Sequence, residues 1–292
     1  MKEAALILFL RFLALLPLSA ARASGALLGG LCWSLQTRMA RTTLTNLALC
    51  FPGLNAPDRR KLAQASLQQT FQTITEAGAV WLWPPARILS LVTEVEGLGL
   101  LQSAKAENKG VLLVAPHMGN WELLGLYLNV CGCGPSSQLY QAPDSPALAK
   151  LIFTARSRMG AKMVATDNKG VGELLKSLRA GEIVGILPDQ VPLASGGEFA
   201  PFFGKPAFTM TLLNRLQQKT GARVVVGYAK RVEHGFRMIF REPAAEIYAS
   251  DLTTALAALN RSVESVVLED PAQYQWEYKR FKRQPQGVQP PY

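Results

Sequence analysis

The sequence predicts an α/β fold, a mostly parallel central sheet flanked by helices, behind an N-terminal membrane-anchoring helix. Three observations predict it. From Thr93 onward, short β-type runs alternate with helical stretches, the pattern of a parallel sheet covered on both faces. Two polar clusters, APHMGNWE and LPDQ, directly follow oily runs, where the loops of an open α/β sheet build a site. The amino terminus, MKEAALILFLRFLALLPLSAARASGALLGGLCW, is rich in Leu and Ala.

Residues 1–36 are the predicted anchor. The ARA before Ser24 resembles a leader cleavage site, yet apolar residues resume at Gly25 and run to Leu35. A retained membrane helix, or one lying in the interface, fits that pattern better. Arg38 and Arg41 follow, and the positive-inside tendency then places the remaining chain in the cytoplasm. Residues 37–90 are read as a helical segment packing on the main domain. Within it, residues 58–80 set Leu62, Leu67, Phe71 and Ile74 at helical spacing, and WLWPP stops the helix. Trp81 and Trp83 suit a membrane interface or a core equally.

Residues 91–292 form the main domain with a basic tail. Its candidate strands are TEVEG, GVLLVAPH, SSQLYQA, AKMVAT, EIVGILPD and ARVVVGYAKR, with helices near 98–108, 120–131, 145–159, 169–180 and 208–220. RVEHGFRMIF reads as a late antiparallel addition with His234 near its turn, and a helix follows at about 251–268.

The formal charge is +10 and 49% of residues are hydrophobic. A basic surface suits nucleic acid, an anionic membrane, or acidic substrates and carrier proteins. The basic residues are not interleaved with an aromatic platform and the amino terminus is oily, so no nucleic-acid partner is expected. Cys32, Cys50, Cys131 and Cys133 lie in apolar surroundings and read as small hydrophobes; no second Cys/His cluster completes a metal site.

Of the two histidines, His117 is the better placed general base. On one continuous helix, His117 and Glu122 would point roughly 140° apart. They meet only if His117 ends the strand and Glu122 lies in the first turn of the next helix, which Pro116 and Gly119 favour. Glu122 would then orient the ring and stabilise the imidazolium. The spacing equally suits a buried histidine capping a loop beside a surface glutamate.

APHMGNWE, with His-x4-Glu, resembles the active-site motif of the late acyltransferases of lipid A biosynthesis. These lauroyl and myristoyl transferases belong to the wider lysophospholipid acyltransferase superfamily. NLALCFPGL at 46–54, ARSRMG around Arg156, LPDQVP with PFFGKPAFT at 188–209, and QYQWEYKRFKRQP near the end also resemble family blocks, in order. The resemblance implies a glycerolipid acyltransferase-like αβα fold and a membrane-bound acyltransferase that needs no metal and no cofactor. It implies His117 as general base and Glu122 as its charge-balancing partner. Asn120 helps shape the site, and Arg156 meets anionic groups of the substrate, unless it is simply a solvated helix arginine. Asp189 and Gln190 end a strand facing the cleft, and Phe203 and Gly204 wall a substrate groove or pack with other aromatics. The acyl donor implied is acyl carrier protein, and the acceptor a lipid A precursor at the cytoplasmic face of the cell inner membrane. The alternative is the same chemistry on a lysophospholipid or another glycolipid. Many members carry Arg where Gln141 stands and a His near Tyr278, differences that bear on acceptor recognition. A serine hydrolase is disfavoured because no G-x-S-x-G elbow occurs.

Overall fold

The computed structural model describes residues 2–140, 142, 143 and 145–292. Helices α1 (Lys2–Leu15) and α2 (Leu18–Ser34) open the chain. Pro17 is the N-cap of α2 and cannot supply the N–H that a continuous helix needs. The predicted anchor is therefore two helices of 14 and 17 residues, and the expectation of a membrane-spanning helix is corrected. Among the described residues, no helix is long and apolar enough to cross a membrane.

Helices α3 (Arg38–Cys50), α4 (Ala56–Leu82) and α5 (Pro85–Leu89) follow. Asn55 caps the long α4 by accepting the Asp58 N–H, and Trp83, entering extended backbone before Pro84, ends it. Against α4 the first two helices pack through glycines. A Cβ on Gly29 would fall 2.5 Å from Gln68 Cα, and one on Gly78 would fall 2.8 Å from the Leu10 carbonyl oxygen. Arg22, inside the ARA that resembles a cleavage site, is buried and ion-paired to Glu76 of α4.

Then come β1 (Val92–Glu96), α6 (Leu98–Ala106), β2 (Val111–Val114), α7 (Trp121–Tyr127), β3 (Ser136–Tyr140), α8 (Pro146–Ser157), β4 (Lys162–Ala165), α9 (Asn168–Arg179) and β5 (Ile183–Ile186). The hairpin β6 (Gly197–Phe202) and β7 (Lys205–Met210) precedes α10 (Leu212–Thr220), β8 (Arg223–Val232), β9 (Gly235–Arg241) and α11 (Leu252–Glu269). The seven-stranded sheet runs β1-β9-β8-β2-β5-β3-β4, and every pairing but β8–β9 is parallel. The expected α/β architecture is thus observed. The helix expected at 208–220 begins only at Leu212, because residues 205–210 pair with β6 instead.

Alternation along the central strands divides the core into two layers. Leu112 and Val114 of β2, with Val184, Ile186, Val224 and Val226, face α9, α10 and α11. Val111 and Leu113, with Ile183 and Val225, face α4, α6 and α7. Burial on both faces explains why VLLV and IVGI carry no polar residue.

The glycine seam yields a matched pair of predictions. Gly29→Ala should lower the urea midpoint, because its methyl meets the α4 backbone. Gly30→Ala, with only the Gln68 side chain 3.8 Å from its new Cβ, should be neutral or stabilise by up to about 1 kcal/mol through helix propensity. Equal midpoints would remove the seam as a packing constraint.

Candidate active site

Strands β2 and β5 lie side by side, with Val114 level with Ile186. The last rung between them is Ala115 N–H to Ile186 C=O, at 2.9 Å. Pro116 and Pro188 follow and have no N–H to extend the ladder. One residue later His117 and Asp189 emerge together. One Asp189 oxygen lies 2.8 Å from His117 Nδ1, and the other accepts the His117 main-chain N–H, also at 2.8 Å. The carboxylate is acceptor-only when ionised, so Nδ1 carries the proton and Nε2 offers its lone pair. Burial opposes the ionised Asp189 carboxyl, but the His117 ring and N–H hold it below the usual carboxylate range. Its share of stability is present above the ordinary carboxylate pKa and is lost as pH falls through the lowered value.

At Nε2, the Gln190 amide nitrogen lies 3.2 Å away and donates to Gln275 Oε1 at 3.0 Å. The Trp121 ring meets the imidazole edge to face, with centroids 5.0 Å apart. The backbone of residues 117–120 is held from three sides. Gln275 donates its N–H to the His117 carbonyl at 3.1 Å, Gly119 donates to the Gln273 carbonyl at 3.0 Å, and Asn120 donates to the Ala229 carbonyl at 2.9 Å. Gly119 has φ +59°, and a Cβ there would stand 2.0 Å from the Ala229 oxygen, so glycine is required twice over.

The His117–Glu122 pairing expected from spacing is not what the fold builds. Glu122, in the first turn of α7, accepts Arg156 Nε at 2.9 Å and Trp81 Nε1 at 3.1 Å, and a second Arg156 nitrogen closes a fork. The ring's carboxylate partner comes from the neighbouring strand. Arg156 keeps a quarter of its side chain exposed and lies over the Tyr140 ring. Burial disfavours its charge, but Glu122 more than compensates and raises its pKa.

Asn120, expected among the substrate contacts, is 1% exposed. Its oxygen caps α7 by accepting the Leu123 N–H at 3.0 Å, and its nitrogen donates to Glu76 at 2.9 Å. Its amide is thus occupied within the protein, and it shapes the site as a scaffold. Phe203 and Gly204 form the β6–β7 turn, both at positive φ. Phe203 packs against Phe51, Phe202 and Trp276, while Gly204 is exposed. Arg280 of the basic tail is buried and donates to the Phe208 carbonyl and the Thr209 hydroxyl, so it does not meet solvent partners. His234 sits exposed at the β8–β9 turn, as expected. Gln141 lies outside the described residues.

Sequence reasoning missed Gln275, Tyr274, Trp81 and Glu76 as parts of this neighbourhood. Tyr274 lies against Asp189, and burial, reinforced by that charge, raises its phenol well above its ordinary value. The block QYQWEYKRFKRQP was visible as a unit, but nothing in it signals insertion beside His117. Among the described residues, no group of three or more His, Cys, Asp and Glu is placed to hold a metal ion.

The sequence profile of the bacterial lipid A biosynthesis acyltransferase family matches residues 2–283. The chain belongs to this family. It is 30% identical over 246 residues to the lipid A biosynthesis palmitoleoyltransferase of Escherichia coli K12, covering 83% of this chain and 78% of that one. Against the lauroyltransferase of the same organism it is 30% identical over 267 residues, covering 90% and 86%. Against the myristoyltransferase it is 26% identical over 253 residues, covering 86% and 77%. Family membership makes this chain an acyltransferase.

Gly119→Ala is expected to destabilise the protein by more than about 2 kcal/mol in urea unfolding, since the left-handed penalty adds to a backbone collision. An unchanged midpoint would show that the turn can relax and that its packing does not hold His117.

Proposed function

We propose that this enzyme transfers a fatty acyl chain from acyl carrier protein to a hydroxyl of a lipid A precursor, at the cytoplasmic face of the inner membrane. The observation that carries the reading is an imidazole with Nδ1 committed to buried Asp189 and Nε2 facing the Gln190 amide. The acceptor hydroxyl sits at Nε2 and gives up its proton there as its oxygen attacks the thioester carbonyl. The ionised Asp189 stabilises the resulting imidazolium. When the tetrahedral intermediate collapses, the C–S bond breaks and the proton passes from Nε2 to the departing thiolate. The products are an ester and the free carrier thiol, with no covalent bond to the enzyme. When the acceptor hydroxyl takes its place at Nε2, one Gln190 N–H turns to the developing oxyanion while the other stays on Gln275.

Glu122 acts through Arg156. The carboxylate fork fixes the guanidinium, whose exposed quarter can meet a phosphate. The names of the E. coli relatives support a lipid A acceptor and a fatty acyl group.

Membrane binding through helices lying in the interface is supported by the outer faces of α1 and α2. Leu8, Phe12, Leu15, Leu27, Leu31 and Leu35 are all exposed there, with exposed Arg11, Arg38 and Arg41 close in sequence.

Three measurements test these readings. Mass spectrometry should show an added acyl chain on lipid A precursor incubated with the enzyme and acyl carrier protein thioester, and none with His117→Ala. Transfer to lysophospholipid but not to the glycolipid would overturn the acceptor. Asp189→Asn should lower kcat roughly 10²- to 10⁴-fold with KM little changed, whereas Glu122→Gln should chiefly raise KM for the anionic acceptor. The reverse allocation would return the charge-balancing role to Glu122. Phe12→Asp with Leu27→Asp should weaken sedimentation with anionic vesicles by at least about tenfold, from the lost apolar burial.

A further inference from the structure

Glu76 lies in the middle of α4 with no solvent exposure, and acyl transfer as proposed above does not use it. Its carboxylate receives four charge-assisted hydrogen bonds. One oxygen accepts Arg22 Nε and Arg231 Nε, both at 2.7 Å; the other accepts a terminal Arg231 nitrogen at 2.7 Å and Asn120 Nδ2 at 2.9 Å. Arg22 spreads its remaining nitrogens over the β8–β9 turn, donating to the carbonyls of Val232 at 2.6 Å, Glu233 at 3.0 Å and Gly235 at 2.8 Å. Arg231 reaches Gln69 at 2.6 Å and the Thr73 hydroxyl at 2.7 Å, and Thr73 donates to the Gly119 carbonyl at 3.0 Å. Helix α4 therefore grips two of the three residues between His117 and the start of α7, Gly119 through Thr73 and Asn120 through Glu76. The same carboxylate is tied to α2, one of the two apolar amino-terminal helices, by Arg22 alone among the residues of that helix. A buried carboxylate satisfied at both oxygens holds its partners in one arrangement, because releasing an arginine leaves a charge poorly paired in the interior and releasing Asn120 leaves a buried amide N–H without its acceptor.

We propose that Glu76 is a positioning residue for acyl transfer: it locks the Asn120 cap and with it the turn from His117 to Glu122, and Arg22 makes that lock depend on the docked α2 helix. The inference rests on the acyltransfer role of His117, and it makes the amino-terminal helices part of the catalytic apparatus.

The test uses the full chain with Glu76→Gln, Arg22→Met and Arg22→Lys. Asn260→Ala serves as a control that removes a buried amide bonded to Pro201 and Thr209, on elements that do not touch Glu76. Unfolding in urea, hydrogen exchange at the Leu123 amide, and kcat and KM are measured where each variant is fully folded. Glu76→Gln and Arg22→Met should lower kcat roughly 10- to 100-fold, with KM within about threefold, and should speed Leu123 exchange by a similar factor. Asn260→Ala, at comparable loss of stability, should change neither. Arg22→Lys should recover part of the rate. Should Glu76→Gln fail to fold, the two Arg22 variants decide: equal rates in Lys and Met variants overturn the inference. So does wild-type exchange at Leu123, or a kcat loss in Asn260→Ala matching that in Glu76→Gln. A wild-type chain that transfers nothing overturns the proposed function, while the exchange measurement still judges Glu76 independently.

Discussion

Everything at the site depends on the register between β2 and β5. Once Val114 is level with Ile186, equal three-residue extensions bring His117 opposite Asp189. The two extensions are chemically alike, a small or aliphatic residue, a proline, then the polar group. Each proline removes a ladder donor at the same height, so the sheet opens at that level. The Asp189 carboxylate then replaces the missing rung by accepting a main-chain N–H while its other oxygen takes the ring. A one-residue slip would send Asp189 to the opposite face of the sheet and leave the imidazole without its partner.

The second ion pair follows from helix ends. Glu122 sits in the first turn of α7 and Arg156 in the last turn of α8, the positions each charge prefers beside a helix dipole. Trp81 of α4 completes the Glu122 shell, so the carboxylate is directed between α4 and α8, away from the ring five residues earlier. In the proposed mechanism the two charged pairs divide the chemistry. One would handle a proton, and the other would present a fixed cation to the substrate.

The alternation of strands and helices, and the position of both polar clusters at carboxyl ends of strands, could be read directly from hydrophobic pattern. The neighbour order could not. β3 and β4 intervene in sequence between β2 and β5, and no periodicity reveals that β5 inserts between β2 and β3. His-x4-Glu therefore reads as the pair in sequence, although LPDQ falls at the same edge of the sheet. The β6–β7 hairpin was hidden for another reason. Pro201 and Pro206 lie opposite each other in it, a tolerable arrangement in an isolated two-stranded ribbon, and they make PFFGKPAF resemble a loop. The helix expected from 208 therefore begins four residues later, at Leu212. Pro17, by contrast, was legible, and the apolar composition around it masked its meaning as a break.

That composition conceals an inverted helix. In α2, Arg22, Gly25, Gly29 and Cys32 recur at helical spacing and are all buried, whereas Leu27, Leu28, Leu31 and Leu35, the last at its C-cap, are exposed. A helix on the surface of a water-soluble protein turns its leucines inward. Here the inner face is a charge and small residues, because close approach to α4 requires glycine and Glu76 requires a cation. Turned outward, Arg22 would leave the buried Glu76 carboxylate short of one of its two cations, so its burial against Glu76 fixes the rotation of α2 as firmly as the glycine seam does. With that rotation fixed, the leucines can face only outward. The ion pair proposed to order the turn after His117 thus also determines which face of α2 is left exposed, the face that the proposed interfacial binding would use.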